Sequence, residues 1–276
     1  MEETLVIWSA IFQRAIIGCV ITGLIMGLIS VFVIRMRLTA IGYSMSHSAF
    51  AGAALGVALS MDPLITAIFF SAITATLIGP VSDKARVSID TITSIAFSLN
   101  MALAFIFLTL SPQVGLSSEV ASVIWGSIIA ITNSDLIYLE ILFLATLSLI
   151  YLFWKELFAI MFDRKMAEAD GISTKPFIYF VIFLTGIVVA ISLKLVGGIL
   201  IYALLFNPAS SALQFLHDIK KVMILSPIIG MASCLTGFFA SFMFNMPVGA
   251  CIALFSTIIF SISVILSPKR KRRVIV

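Results

Sequence analysis

The chain has 276 residues, of which 61% are hydrophobic and only 11% charged, with a net charge of +4. A water-soluble globular domain is about a quarter charged, so that class is excluded and the chain reads as an all-α polytopic membrane protein. Backbone amides in hydrocarbon must be satisfied within their own segment, which leaves helices for long apolar stretches.

A spanning helix needs about 20 apolar residues, and nine stretches near that length follow one another. They cover 15–34, 46–61, 63–81, 91–111, 136–154 (with Glu140 inside), 176–193, 195–213, 222–244 and 247–267. One of these can be re-entrant, so the expectation is eight or nine transmembrane helices in a single domain over 1–276. No cationic leader precedes the first stretch, which is expected to be retained. Gly23 and Gly27 form a GxxxG spacing in the first helix, and Gly52 and Gly56 repeat it in the second. Such faces let backbones approach closely, so these two helices are expected to meet each other or the bundle core.

The second stretch carries the most informative residue. GYSMSHSAFAGAALG, residues 42–56, holds His47 among serines and small residues. An ionisable group within a membrane helix usually faces a bundle interior or a pathway, so His47 is a candidate pathway residue, against the alternative of a packing histidine. Tyr43 lies one turn before it on the same face. Ser44, Ser46, Ser48, Asn100 and Asn207 are further polar candidates, each also able to serve as hydrogen-bonding glue between helices. Asp90 opens the fourth helix, where a carboxylate complements the helix dipole.

Basic residues sit on one side. Arg35 and Arg37, Lys84 and Arg86, the four between 155 and 175, Lys220 and Lys221, and the tail from Lys269 make fifteen of seventeen, leaving Arg14 and Lys194. The positive-inside rule then puts the N-terminus outside and the C-terminus in the cytoplasm. The KRKRR run within the tail 268–276 reads as a topology anchor, not a nucleic-acid patch. Cys19, Cys234 and Cys251 lack CxxC spacing and imply no disulfide framework.

Between the fifth and sixth helices, KELFAIMFDRKMAEADGISTK (155–175) is amphipathic, with Phe158, Met161, Phe162 and Met166 at helical spacing and Gly171 as a C-terminal cap. It predicts a short surface helix, lying on lipid or docking a cytoplasmic partner. His217, in the charged FLHDIKK loop, is expected to be solvated. Pro208 should break or bend the seventh helix, and broken helices border substrate routes in transporters, which marks Asn207 beside it.

RMRLTAIGYSMSHSAFAG, SIDTITSIAFSLNMALAF, the FD of MFDRKMAEADG with its Ala167 and Gly171, and KLVGGILIYALLFNPASSA resemble, in order and spacing over 35–212, the permease subunits of the zinc/manganese/iron ABC importer family. The resemblance implies a fold like that of the vitamin B12 type of importer in a bacterial plasma membrane. It also implies a pair of permeases, as homodimer or heterodimer, two cytoplasmic ABC ATPase subunits, and an extracytoplasmic metal-binding protein. The segment with Asp163, Ala167 and Gly171 would then be the coupling helix. The cargo that it implies is zinc or manganese, with iron next, and no cofactor is expected to be held stably. The family's G-D-x-x-x-H motif has Tyr43 here at the acidic position, and a phenol is a poorer ligand than a carboxylate for a hard cation. A GxxxxGK[ST] loop is absent, so ATP is expected to be hydrolysed by a separate subunit. An HExxH motif is also absent and only two histidines occur, which argues against an enzyme. The rival reading is a secondary transporter, which needs no docking helix.

Cysteine labelling in right-side-out vesicles tests the orientation. A cysteine placed at 116 is expected to react with an impermeant reagent, and ones placed at 165 and 271 are not; the reverse pattern rejects it.

Overall fold

A computed structural model describes residues 2–110, 126, 131–197 and 201–268. Among them there are eleven helices and no strand. Helix α1 is Glu2–Arg35 and α2 is Thr39–Ala58, followed by α3 (Pro63–Ala85), α4 (Ile89–Leu110) and α5 (Asn133–Leu152). Two short helices come next, α6 (Trp154–Phe162) and α7 (Arg164–Ala169). The remainder is α8 (Thr174–Val196), α9 (Tyr202–Phe215), α10 (Ile219–Phe244) and α11 (Val248–Ile265).

Each of the nine expected stretches overlaps a helix, although 195–213 is broken at Gly197 and lies in part outside the described residues. Among the described residues seven helices are long and apolar enough to cross a membrane. The other two are α2 and α9. Helix α2 is long enough but diluted by Ser44, Ser46, His47, Ser48 and its glycines, and α9 has only 14 residues. Both can be polar or short because neighbouring helices, not lipid, surround them. Fourteen residues of α2 are buried, whereas only 17% of the apolar window of α4 is covered by this chain. Helix α4 therefore lies at the periphery with α2 behind it, packed on by α3, α4 and α8.

Helix starts follow local chemistry. Asp62 Oδ1 accepts from the amides of Leu64 (2.7 Å) and Ile65 (3.3 Å), capping α3, whose first residue Pro63 has no amide to lose. Thr132 and Asp135 form a reciprocal capping box at α5. Asp90 stands in the first turn of α4.

The glycine pairs work, but not on each other. A Cβ at Gly27 would lie 2.5 Å from Ser226 O and 2.6 Å from Pro227 Cα, and one at Gly23 would lie 2.5 Å from Met231 Cα, so α1 meets the backbone of α10. Ser226 Oγ then donates to Gly27 O at 2.5 Å across the crossing. Gly52 and Gly56 of α2 face α3, where a Cβ at Gly52 would meet Thr66 O at 2.5 Å. Helices α1 and α2 touch little, because each glycine face is occupied by a different partner. The basic tail lies, from Lys269 on, outside the described residues, as does most of the connection before α5.

Gly230 of α10 completes the first crossing, since its own Cβ would strike Gly23 O and approach Gly27 Cα to 3.2 Å. Backbone cannot move aside as a side chain can. Gly230→Ala is expected to lower stability in detergent by about 1–3 kcal/mol, read as an earlier thermal unfolding midpoint.

Candidate functional site

The centre of the site is the seam between α2 and α4. His47 is 9% exposed and its Nδ1 has no hydrogen-bond partner within the described chain. Its ring meets that of Phe97 edge-on, with centroids 4.7 Å apart. Phe97 and Asn100 are three apart and so share a face of α4. Asn100 is 3% exposed and its Nδ2 is also unpartnered. Ser44, three residues before His47, is fully buried with an unpartnered Oγ. A buried polar atom without a partner costs about 1–3 kcal/mol, so the seam concentrates unmet hydrogen-bonding capacity. Ser48 shows the ordinary outcome on the same helix, with its hydroxyl reaching Thr74 Oγ1 at 2.7 Å and Phe70 O at 3.2 Å. Thr22, Thr146, Ser192 and the Nε of Arg35 are unpartnered as well. They lie on α1, α5 and α8, whereas Ser44, His47 and Asn100 lie on α2 and α4, and of the seven only His47 carries an ionisable ring within a membrane-buried helix that also meets a ring of its neighbour.

Two sequence candidates are directed elsewhere. Tyr43 is 46% exposed and stacks on Tyr202 (5.0 Å between centroids) and Phe206 (6.0 Å) of α9. Aromatic packing holds its ring beside α9. Asn207 donates from Nδ2 to Ser256 Oγ at 2.8 Å and Thr257 Oγ1 at 3.1 Å, tying α9 to α11. Pro208 does not end its helix. The chain runs helically to Phe215, with Ser211 Oγ donating to Asn207 O (2.7 Å) and Ser30 Oγ of α1 accepting from the Ala209 amide (3.2 Å). The interruption comes earlier, where α8 stops at Val196 and Gly197 takes φ +88°.

On the side assigned to the cytoplasm, the expected single surface helix is two. Asp163 closes α6 with an extended backbone and starts α7 by accepting at Oδ1 from the amides of Lys165 (2.8 Å) and Met166 (3.0 Å). Helix α7 ends in a Schellman arrangement, Ile172 N to Ala167 O at 2.9 Å and Gly171 N to Glu168 O at 3.1 Å, which requires the left-handed φ of +85° that Gly171 adopts. Ala167 is buried beneath this turn. The apolar residues divide between two tasks. Met161, Leu157 and Ile160 are buried in this chain, and Phe158 packs against the core with Lys220 Nζ 5.7 Å above its ring. Phe162 (65%) and Met166 (59%) remain exposed on either side of Asp163. The turn is stiffened by Glu168, whose Oε1 accepts from Thr174 Oγ1 at 2.5 Å and Arg164 Nε at 3.1 Å. The Thr174 hydroxyl and then the Arg164 guanidinium hold this carboxyl below its ordinary value. Its contribution is therefore complete at neutral pH and lost only as acid titrates it through that lowered value.

Phe97 and the Glu168–Thr174 contact have no signature in the sequence, since their partners are distant or of common type. His217 is exposed, as expected of its loop. Among the described residues no three His, Cys, Asp or Glu stand together, so the buried seam offers neutral donors: imidazole, amide and hydroxyl.

The family model described as ABC 3 transport family matches residues 9–267. The chain is 33% identical over 258 residues to the manganese transport system membrane protein MntC of Listeria monocytogenes, covering 94% of this chain and 91% of that protein. It is 28% identical over 256 residues to the high-affinity zinc uptake system membrane protein ZnuB of Haemophilus influenzae, covering 91% and 96%. Its fold superposes on a chain of PsaBC from Streptococcus pneumoniae, solved in complex with Fab, with a TM-score of 0.83 at 28% identity over 95% of this chain and 93% of that one.

Asn207→Ala removes both hydrogen bonds to α11. Interhelical hydrogen bonds in membranes are worth about 0.6–1.7 kcal/mol, and a loss of that size is expected by thermal unfolding in detergent.

Proposed function

The chain belongs to the ABC 3 transport family, and from that premise we propose that it is the membrane permease of an ATP-driven importer carrying a divalent transition-metal ion past His47. The observation that supports this most is the unmet polar capacity of Ser44, His47 and Asn100 in a seam from which lipid is excluded. A polar group kept buried at a cost is expected where a ligand supplies the missing partner. Manganese is the first cargo and zinc the second, following the names of MntC and ZnuB, with iron third. Imidazole suits zinc and manganese prefers harder oxygen donors. A seam without a carboxylate therefore holds either ion weakly and passes it on.

Energy comes from outside the chain. In this reading two ABC ATPase subunits sit beneath a pair of permeases, homodimeric or heterodimeric, and an extracytoplasmic metal-binding protein delivers the ion. The docking element is Phe158–Gly171, and exposure narrows its contact surface to Phe162 and Met166, while Phe158 and Met161 anchor it to the permease. Asp163, Ala167 and Gly171 shape the turn. The alternative, a secondary transporter, needs no docking surface and leaves Phe162 and Met166 to rest on lipid.

One experiment separates these readings. His47→Ala is expected to abolish most manganese and zinc uptake with normal protein level and assembly. Phe162→Asp with Met166→Asp is expected to release the ATPase from purified complex and stop uptake while the permease stays folded. Normal ion accumulation in the first variant returns His47 to a packing role. ATPase retained at the wild-type ratio in the second rejects the docking face.

A further inference from the structure

Resting on the docking reading above, we propose that Asp83, at the cytoplasmic end of α3, is a positioning clamp that makes α3 and α8 follow the docking turn as one body. Its carboxylate is held at both oxygens by α8: Lys175 Nζ at 2.9 Å from Oδ1, and Tyr179 OH donating to Oδ2 at 2.6 Å. These two residues are one helical turn apart and so present one face. The Tyr179 ring lies directly over Gly79, one turn before Asp83, where any Cβ would strike it. The seat is therefore shaped for that ring as well as for the charge.

The clamp lies between the docking turn and the seam. The Schellman bonds close the turn after α7, and α7 is tied to the start of α8 by Thr174, which is 2% exposed and bonded to Glu168 and Arg164. A displacement of α7 is thus passed to α8 with little slack. About 18 Å further along α8, twelve residues at 1.5 Å each, Gly186 O accepts from Ser71 Oγ of α3 at 2.9 Å. A Cβ at Gly186 would lie 3.0 Å from Met45 Sδ of α2. Helix α3 reaches α2 separately, through Ser48 on Phe70 O and Thr74 Oγ1. Met45 and Ser48 bracket His47. Two helices joined at their base by Asp83 therefore grip α2 on either side of the buried histidine.

An exposed ion pair contributes little to stability, and the pair here is 58% and 47% exposed. Its effect is expected in coordination of movement, not in folding. The test uses the purified permease–ATPase complex in proteoliposomes, with manganese as probe and ATP hydrolysis measured in parallel. Asp83→Asn and Tyr179→Phe are expected to keep the ATPase at the wild-type ratio and hydrolysis near the wild-type rate, while manganese moved per ATP falls about fivefold or more. Lys175→Glu should reproduce the loss, and adding Asp83→Lys to it should restore transport in part. An unchanged manganese-to-ATP ratio in Asp83→Asn and Tyr179→Phe, with an active wild type, overturns the clamp and leaves the transport reading intact. Loss of the ATPase from either variant also overturns it, because the residue is then structural. A wild-type complex that moves no ion instead rejects the transport reading on which the clamp rests.

Discussion

Within hydrocarbon there is no water to satisfy a polar group, so every hydroxyl, amide and carbonyl in this bundle must find its partner in protein. Most do. Thr185, Ser233 and Ser263 return their hydroxyls to the carbonyl four residues earlier in their own helices. The hydroxyls of Ser226 and Ser71 and the side-chain amide of Asn207 donate across helix crossings. The crossings are tight because glycine lets backbone meet backbone, and a hydroxyl is then within reach of the facing carbonyl. Packing and polar satisfaction are thus one constraint here, and it gives Ser44, His47 and Asn100 their significance as buried groups on two packed helices that fail it.

The same constraint explains why α2 tolerates a composition that lipid would not. Helices α3, α4 and α8 surround it, and its serines and histidine face protein on nearly every side. Tyr43 is the residue that reaches out, and α9 takes its ring into an aromatic group with Tyr202 and Phe206. The acidic position of the family motif is therefore filled by a side chain with packing partners of its own. Helix α2 itself carries no acidic residue.

Between α5 and α8, a short amphipathic stretch both packs on the bundle and leaves apolar residues exposed, which requires that part of it be anchored. Asp163 achieves this by breaking the helix. Residues before it turn Leu157, Ile160 and Met161 inward, and those flanking it leave Phe162 and Met166 in the open. The left-handed Gly171 and the Glu168–Thr174 contact then set the direction in which α8 leaves.

Hydropathy and charge placement determined the membrane class, the nine helical stretches and the proposed orientation, because these depend on transfer from water to hydrocarbon, which each segment undergoes independently of its neighbours. Local chemistry was equally legible at Gly171 and Asp90, where a residue acts on its own backbone, but the break that Asp163 makes between α6 and α7 was not. His47 was legible as an anomaly, since a histidine among serines and alanines needs an explanation in any fold. Partnership was not. That Gly23 and Gly27 meet α10, that Asn207 is tied to Ser256 and Thr257, that Tyr43 packs beside α9, and that Met161 is buried while Phe162 is exposed all depend on which helices become neighbours. A helix face with the right composition suits several partners about equally, and only the tertiary structure, by satisfying all the crossings at once, decides among them.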